Sequence, residues 1–398
     1  MSKGTAIEDL AIIDVDAHIS EPHDLWTSRA PAAYRDRVPH VGELNGKRCW
    51  IVDGDVELAM VTPASVVKRD GEKSRGLEFF EWTMEDVHVA SYDMRARVEL
   101  LDSQGIHAQL IYPNVAGFGN QRFMSVEDDD LRQACATIYN DAMAEIQTDT
   151  GDRILPMALM PWWNIEHCVA EVERAAEMGL RGTVMCSDPD SIGLPDLAEE
   201  AWLPFWEVCA DKEMPVNFHI GASETAFNMF GRAAWPSMGA SRSLALGSAG
   251  LFMENSRVIS NMLYSGILDR FPALKIVSVE SGIGWIPFML EAIDYEWNET
   301  GSQAEYKLPM PPSEYFRRQI YGCFWFEKTA PKRLVETIGE DNLLFETDFP
   351  HPTCQHHGPA NSWARRPAEY AEQALAGVSD ETLQKVLHDN ASKLYGIP

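Results

Sequence analysis

The residues best suited to chemistry lie near the start of the chain, in Asp14-Val15-Asp16-Ala17-His18, just after the apolar run Leu10-Ala11-Ile12-Ile13. Successive side chains of an extended segment alternate faces, so Asp14, Asp16 and His18 point one way while Ile13, Val15 and Ala17 point the other. Carboxylates and an imidazole on one rigid face supply the oxygen and nitrogen donors that a divalent ion such as Zn, Mn or Fe takes. The same pattern also describes a strand with a merely hydrated polar face, so the metal reading depends on recurrence. It recurs at His219 in Pro215-Val216-Asn217-Phe218-His219-Ile220-Gly221, at Glu280 in Val277-Ser278-Val279-Glu280-Ser281-Gly282, and at Asp348 in Leu344-Phe345-Glu346-Thr347-Asp348. Each sits where an apolar run gives way to turn residues.

The elements that must position these groups follow from the rhythm of the chain. Apolar runs near 10–16, 106–113, 154–160, 182–186, 215–221, 274–282, 320–326 and 342–348 alternate with stretches of helical spacing, among them 128–149, 165–178, 201–212 and 259–271. This alternation predicts parallel strands joined by right-handed helical crossovers, and eight such strands close into a (β/α)8 TIM barrel; a doubly wound open sheet is the alternative. Barrel enzymes place their reacting groups where strands end and loops begin, which is where Asp16, His18, His219, Glu280 and Asp348 fall. Residues 19–98 interrupt the rhythm and are expected to form an insertion or cap within one domain spanning 1–398. That segment contains a hairpin-like piece, Arg48 to Asp55, with Asp53-Gly54 suited to a tight turn.

Composition narrows the partners. Lys and Arg number 33 against 61 Asp and Glu, a formal charge of −28, so nucleic acid and anionic membrane surfaces are repelled and a small-molecule substrate is expected. If that substrate is an anion, local positive charge must overcome the mean field. The seven cysteines are scattered, with no CxxC pair, which suits buried thiols in a reducing, cytoplasmic setting. No nucleophile elbow, Walker A loop, dinucleotide fingerprint or HExxH pair is present.

The pattern resembles the amidohydrolase superfamily, and within it the branch similar to aminocarboxymuconate-semialdehyde decarboxylase and the aromatic acid decarboxylases. The resemblance rests on Asp14 to His18, Gly105-Ile106-His107-Ala108-Gln109-Leu110-Ile111-Tyr112-Pro113-Asn114, Phe218-His219-Ile220-Gly221, Thr347-Asp348-Phe349-Pro350-His351-Pro352 and Asn390-Ala391-Ser392-Lys393-Leu394-Tyr395-Gly396. It implies a metal-dependent hydrolase or non-oxidative decarboxylase acting on a small carboxylated or carbonyl compound. It also implies one divalent ion held by Asp16, His18, His219 and Asp348, with Asp348 handling a proton as well. Asp16 stands where many relatives carry His, which makes the donor set harder and favours Mn or Fe over Zn. Glu280 stands where the decarboxylases present a His, so it can act as acid or base, or support a second ion. That leaves a dinuclear Mn/Fe oxygenase, and a non-catalytic metal-containing subunit, as alternatives.

Other candidates are secondary. His351 and His23 lie close enough in sequence to reach a second ion or the substrate, and Trp26 suits the packing of the cap. The adjacent His356 and His357 diverge on a loop and are expected at the surface. Arg181, Arg232 and Arg242 are candidates for a substrate carboxylate, Arg181 being equally suited to a structural role. The branch implies a homodimer, and the aromatic stretch Trp285 to Trp297 suits such an interface.

Overall fold

The structure is a computed structural model that describes residues 7, 10–62, 64–359 and 362–398. Eight parallel strands run through it: β1 Ile12–Asp14, β2 Ile106–Ile111, β3 in two pieces (Ile154–Pro156 and Ala158–Leu159), β4 Thr183–Val184, β5 Val216–His219, β6 Ile276–Val279, β7 Ile320–Phe324 and β8 Leu343–Phe345. β2 pairs with β1 on one side and with the first piece of β3 on the other, and the second piece of β3 leads through β4, β5, β6 and β7 to β8. The ladder continues through the break, because Met157 N donates to Ile111 O at 3.0 Å and Ala158 N to Gly182 O at 2.9 Å. Val15 N donates to Phe345 O at 3.0 Å, which joins β8 back to β1 and closes the expected (β/α)8 barrel. The strands are covered on both faces, so they read as near-continuous apolar runs; β6 has no exposed residue.

Helix ends follow local chemistry. Asp93, Asp128 and Asn164 each accept a backbone N–H at the start of Met94–Gln104, Asp129–Asp149 and Ile165–Glu177. The helix expected over 259–271 is instead two, Glu254–Tyr264 and Ile267–Arg270, because Gly266 takes a left-handed φ of 78° between them.

Within 19–98 the chain forms an antiparallel sheet, His40–Leu44, Lys47–Val52 and Val56–Met60, whose second turn holds Asp53 and Gly54 at positive φ. Trp50 of this sheet meets Trp26 edge-on at 5.6 Å, and Trp26 Nε1 donates to Cys135 O at 2.9 Å, so the segment is anchored on the helix Asp129–Asp149. Of the aromatic stretch expected to suit an interface, Trp297 is buried against Tyr264, whereas Phe288 and Tyr295 are exposed. All seven cysteines are buried and free. Among the described residues, no helix is long and apolar enough to cross a membrane.

Candidate metal centre

Past Asp14, the chain keeps contact with its neighbours as far as His18, through bridges from Ala17 to Phe349 and from His18 to Tyr112. Asp16 and His18 are thereby fixed at the mouth of the barrel. Buried Arg97 locks them from behind, donating to His18 O at 2.8 Å and to Gln109 Oε1 at 2.7 Å. His219 ends β5, and Gly221 then turns the chain at a φ of 74°, where an added Cβ would lie 3.1 Å from the Phe118 ring. That ring packs on His219 at 4.5 Å and on His18 at 4.9 Å. Glu280 and Asp348 follow β6 and β8 with φ of 54° and 59°, a left-handed backbone that ordinary residues seldom adopt and that aims both acids into the mouth.

The tautomers of the two histidines follow from their outer partners. His18 Nδ1 lies 3.3 Å from Pro113 O and His219 Nδ1 lies 2.7 Å from Ile220 O. A carbonyl only accepts, so each ring carries its proton on Nδ1 and presents the Nε2 lone pair inward. The two Nε2 atoms face each other across 3.0 Å. Asp16 Oδ1 lies 3.6 Å from His18 Nε2 and 3.5 Å from His219 Nε2, and Glu280 Oε2 lies 3.3 Å from His219 Nε2. Two ligands roughly 2.1 Å from a shared ion stand about 3.0 Å apart at right angles and about 3.4 Å apart in a tetrahedron. The observed separations have that spacing.

Burial sharpens the point. Asp16 has no solvent exposure, and neither of its carboxylate oxygens has a hydrogen-bond partner; Asp348 Oδ1 is likewise unpartnered. Burial, reinforced by the Asp348 charge, pushes both Asp16 and Glu280 well above the ordinary carboxylate range. Burial also lowers His219 to about 4, and with His351 and His219 nearby it lowers His18 well below its usual value, so both imidazoles are neutral ligands at neutral pH. A dication offsets the repulsion among the acids and satisfies the orphaned oxygens.

Asp16, His18, His219 and Glu280 offer one atom each within 4.8 Å of one another, and His18, Glu280, Asp348 and His351 form a second, overlapping group. His351 stacks on His18 at 3.7 Å and places Nδ1 2.9 Å from Asp348 Oδ1, out of line for a good hydrogen bond. Residues 13–397 match the model of the family described as Amidohydrolase. The chain belongs to that family. It is a metal-dependent enzyme, a hydrolase or carboxy-lyase, as the resemblance implied. The chain is similar to gamma-resorcylate decarboxylase from Polaromonas sp. (strain JS666 / ATCC BAA-500), 24% identical over 311 residues that cover 75% of this chain and 86% of the relative. It is similar also to 2-amino-3-carboxymuconate-6-semialdehyde decarboxylase from Dictyostelium discoideum, 24% identical with 77% of each chain covered. Among solved structures, an amidohydrolase from Mycobacterium avium subsp. paratuberculosis K-10 superposes with a TM-score of 0.74 at 20% identity, covering 98% of this chain and 100% of that one. A dihydroxybenzoic acid decarboxylase from Polaromonas sp. JS666, solved with manganese and 2-nitroresorcinol, superposes at 0.60 with 18% identity, covering 98% and 97%.

The remaining candidates separate cleanly. His23 is half-buried beside Trp50, outside both groups of candidate ligands. The surface expectation holds for His357 and fails for His356, which is buried: its Nε2 lies 2.9 Å from Gly71 O and its ring 5.5 Å from that of Phe349, because the loop after β8 folds back under the 68–75 turn. Arg181 bonds Asp152 and the Gly396 carbonyl, a structural role, while Arg232 and Arg242 are exposed. Sequence reasoning missed Thr353, which donates to Asp348 Oδ2 and, at 3.3 Å, to Glu280 Oε1. It also passed over Asn114, whose Oδ1 lies 2.9 Å from His351 Nε2. Asn114 stood within the Tyr112-Pro113-Asn114 motif, which was a usable signal; Thr353 had none.

Proposed function

We propose that this enzyme is a non-oxidative decarboxylase of a small aromatic carboxylate, with the ion held by Asp16, His18, His219 and Asp348, whose Oδ1 lies 3.6 Å from His18 Nε2, and with Glu280 as a further donor. The observation that carries the reading is the pair of inward imidazole lone pairs 3.0 Å apart beside the unpartnered carboxylate of Asp16. A bound divalent cation, Mn, Fe or Zn, supplies a Lewis acid that polarises a substrate oxygen. Asp348 is then the proton handler. Thr353 pins its Oδ2, and Asn114 Oδ1, oriented by the bond from Asn114 Nδ2 to Ile19 O at 3.0 Å, accepts a hydrogen bond from His351 Nε2. Asp348 and His351, whose Oδ1 and Nδ1 lie 2.9 Å apart, deliver one proton to the site. That proton goes to the ring carbon as the bond to the carboxylate breaks and carbon dioxide leaves. The relatives' decarboxylase activities support this choice over hydrolysis.

Purified protein should release carbon dioxide from hydroxybenzoates, stop when treated with a chelator, and recover on addition of Mn(II). Hydrolysis of amide or ester substrates without carbon dioxide release would overturn the reading. The second overlapping group of donors favours a two-ion site as the rival reading, and one ion per chain by elemental analysis ends it.

A further inference from the structure

Beside the metal centre, and sharing Thr353 with it as a wall, lies a cavity of about 620 Å³, within the size range of small-molecule sites. The turns after β6, β7 and β8 line it, together with Lys73 and Arg75 of the 19–98 segment. Part of the lining is aromatic: Phe252 stacks on Phe326 with ring centres 5.1 Å apart, and Trp363, 78% exposed, lies under Lys328 Nζ at 3.9 Å. Such a cation over an aromatic face is a ready edge for a flat anionic ligand.

The charge of this cavity opposes that of the molecule. The chain carries 61 acidic and 33 basic residues, yet the lining brings together Lys73, Arg75, Lys328 and Arg365 against one acid, Glu327. That acid is turned to the backbone, accepting from Ile283 N at 3.0 Å and Gly284 N at 2.7 Å. Lys73 is nearly fully buried, and its Nζ donates to Cys354 O at 2.7 Å, the residue that follows Thr353. Arg365 is half-buried and braced by Ser362 O at 2.7 Å. A cluster of cations kept against a net charge of −28 serves a ligand that is itself anionic.

We propose that this cavity is a specificity subsite for a second anionic substituent, so that the preferred substrates are aromatic dicarboxylates: one carboxylate reacts at the metal centre and the other is received by Lys73, Lys328 and Arg365. The inference rests on the decarboxylase reading for the first carboxylate, and binding tests it separately from turnover. Titration of the manganese-loaded protein with isophthalate and with benzoate, neither carrying a ring hydroxyl, should show isophthalate binding at least about tenfold more tightly, with the gap shrinking as salt is raised. In Lys328→Met, a surface change, and in Arg365→Met, the gap should fall to about twofold. Equal affinity for the two acids, or a gap that survives both substitutions, overturns the subsite. Selective isophthalate binding by a protein that releases no carbon dioxide keeps the subsite and overturns the decarboxylase reading.

Discussion

Asp14, the last residue of β1, and Asp16, two residues beyond it, are both without solvent exposure, in opposite surroundings. Asp14 accepts from Thr347 N at 2.8 Å, Thr347 Oγ1 at 2.5 Å, Gln109 Nε2 at 2.7 Å and Asp16 N at 3.2 Å. The Asp16 carboxylate accepts nothing. Burial therefore does not distinguish a structural acid from a ligand; the supply of donors does. Asp14 ties β1 to β2 and β8 and so closes the barrel, and burial lifts it only to about 6 because its hydrogen bonds resist the shift. Asp16 relies on something the polypeptide does not provide. An unpartnered buried carboxylate costs several kcal/mol, a penalty the chain carries so that the site can hold a cation.

Substitution tests that contrast. Asp16→Asn should lower kcat by more than about 10³-fold with loss of bound metal, while its metal-free form melts within a few degrees of the metal-free parent. Asp14→Asn should do the reverse: a loss of about 2–4 kcal/mol in chemical denaturation, with the folded fraction retaining its metal by elemental analysis. If Asp14→Asn loses the ion while Asp16→Asn unfolds the chain, the contrast is broken.

Glu21 is the intermediate case. Its Oε1 accepts from Asn114 N at 2.8 Å and Val115 N at 2.9 Å, its Oε2 accepts nothing, and burial raises it to about 7. The native state thus keeps a proton that the unfolded chain releases near pH 4.5, so stability falls as pH rises from about 4.5 to about 7, by on the order of 2–3 kcal/mol. Glu21→Gln cannot ionise and should be free of this loss. Its stability relative to the parent should grow between pH 5 and pH 8 in urea titrations, and parallel curves would show that Glu21 is already paired.

Much of this was legible in the sequence, for identifiable reasons. A parallel barrel buries both faces of each strand, so runs such as Ile276 to Val279 stand out in the sequence, and the period-two alternation places Asp16 and His18 on one face. Glu280 and Asp348 were visible because ionisable residues at strand ends are chemically conspicuous. His351 was only half legible: its contact with Asp348 is local, but its stacking on His18 spans most of the chain. Thr353 and His356 were obscured for a related reason. A hydroxyl becomes informative only when a carboxylate is seen against it, and the burial of one of two adjacent histidines depends on a loop from the far end of the chain packing over it.

The left-handed backbone at Glu280 and Asp348 bears on how this enzyme would evolve or be engineered. Each of these residues costs roughly 1–2 kcal/mol in a conformation that glycine adopts freely. Laboratory selection for heat resistance alone would therefore reward glycine at both sites and accumulate hardy, inert descendants, so any such campaign has to screen for turnover in every round.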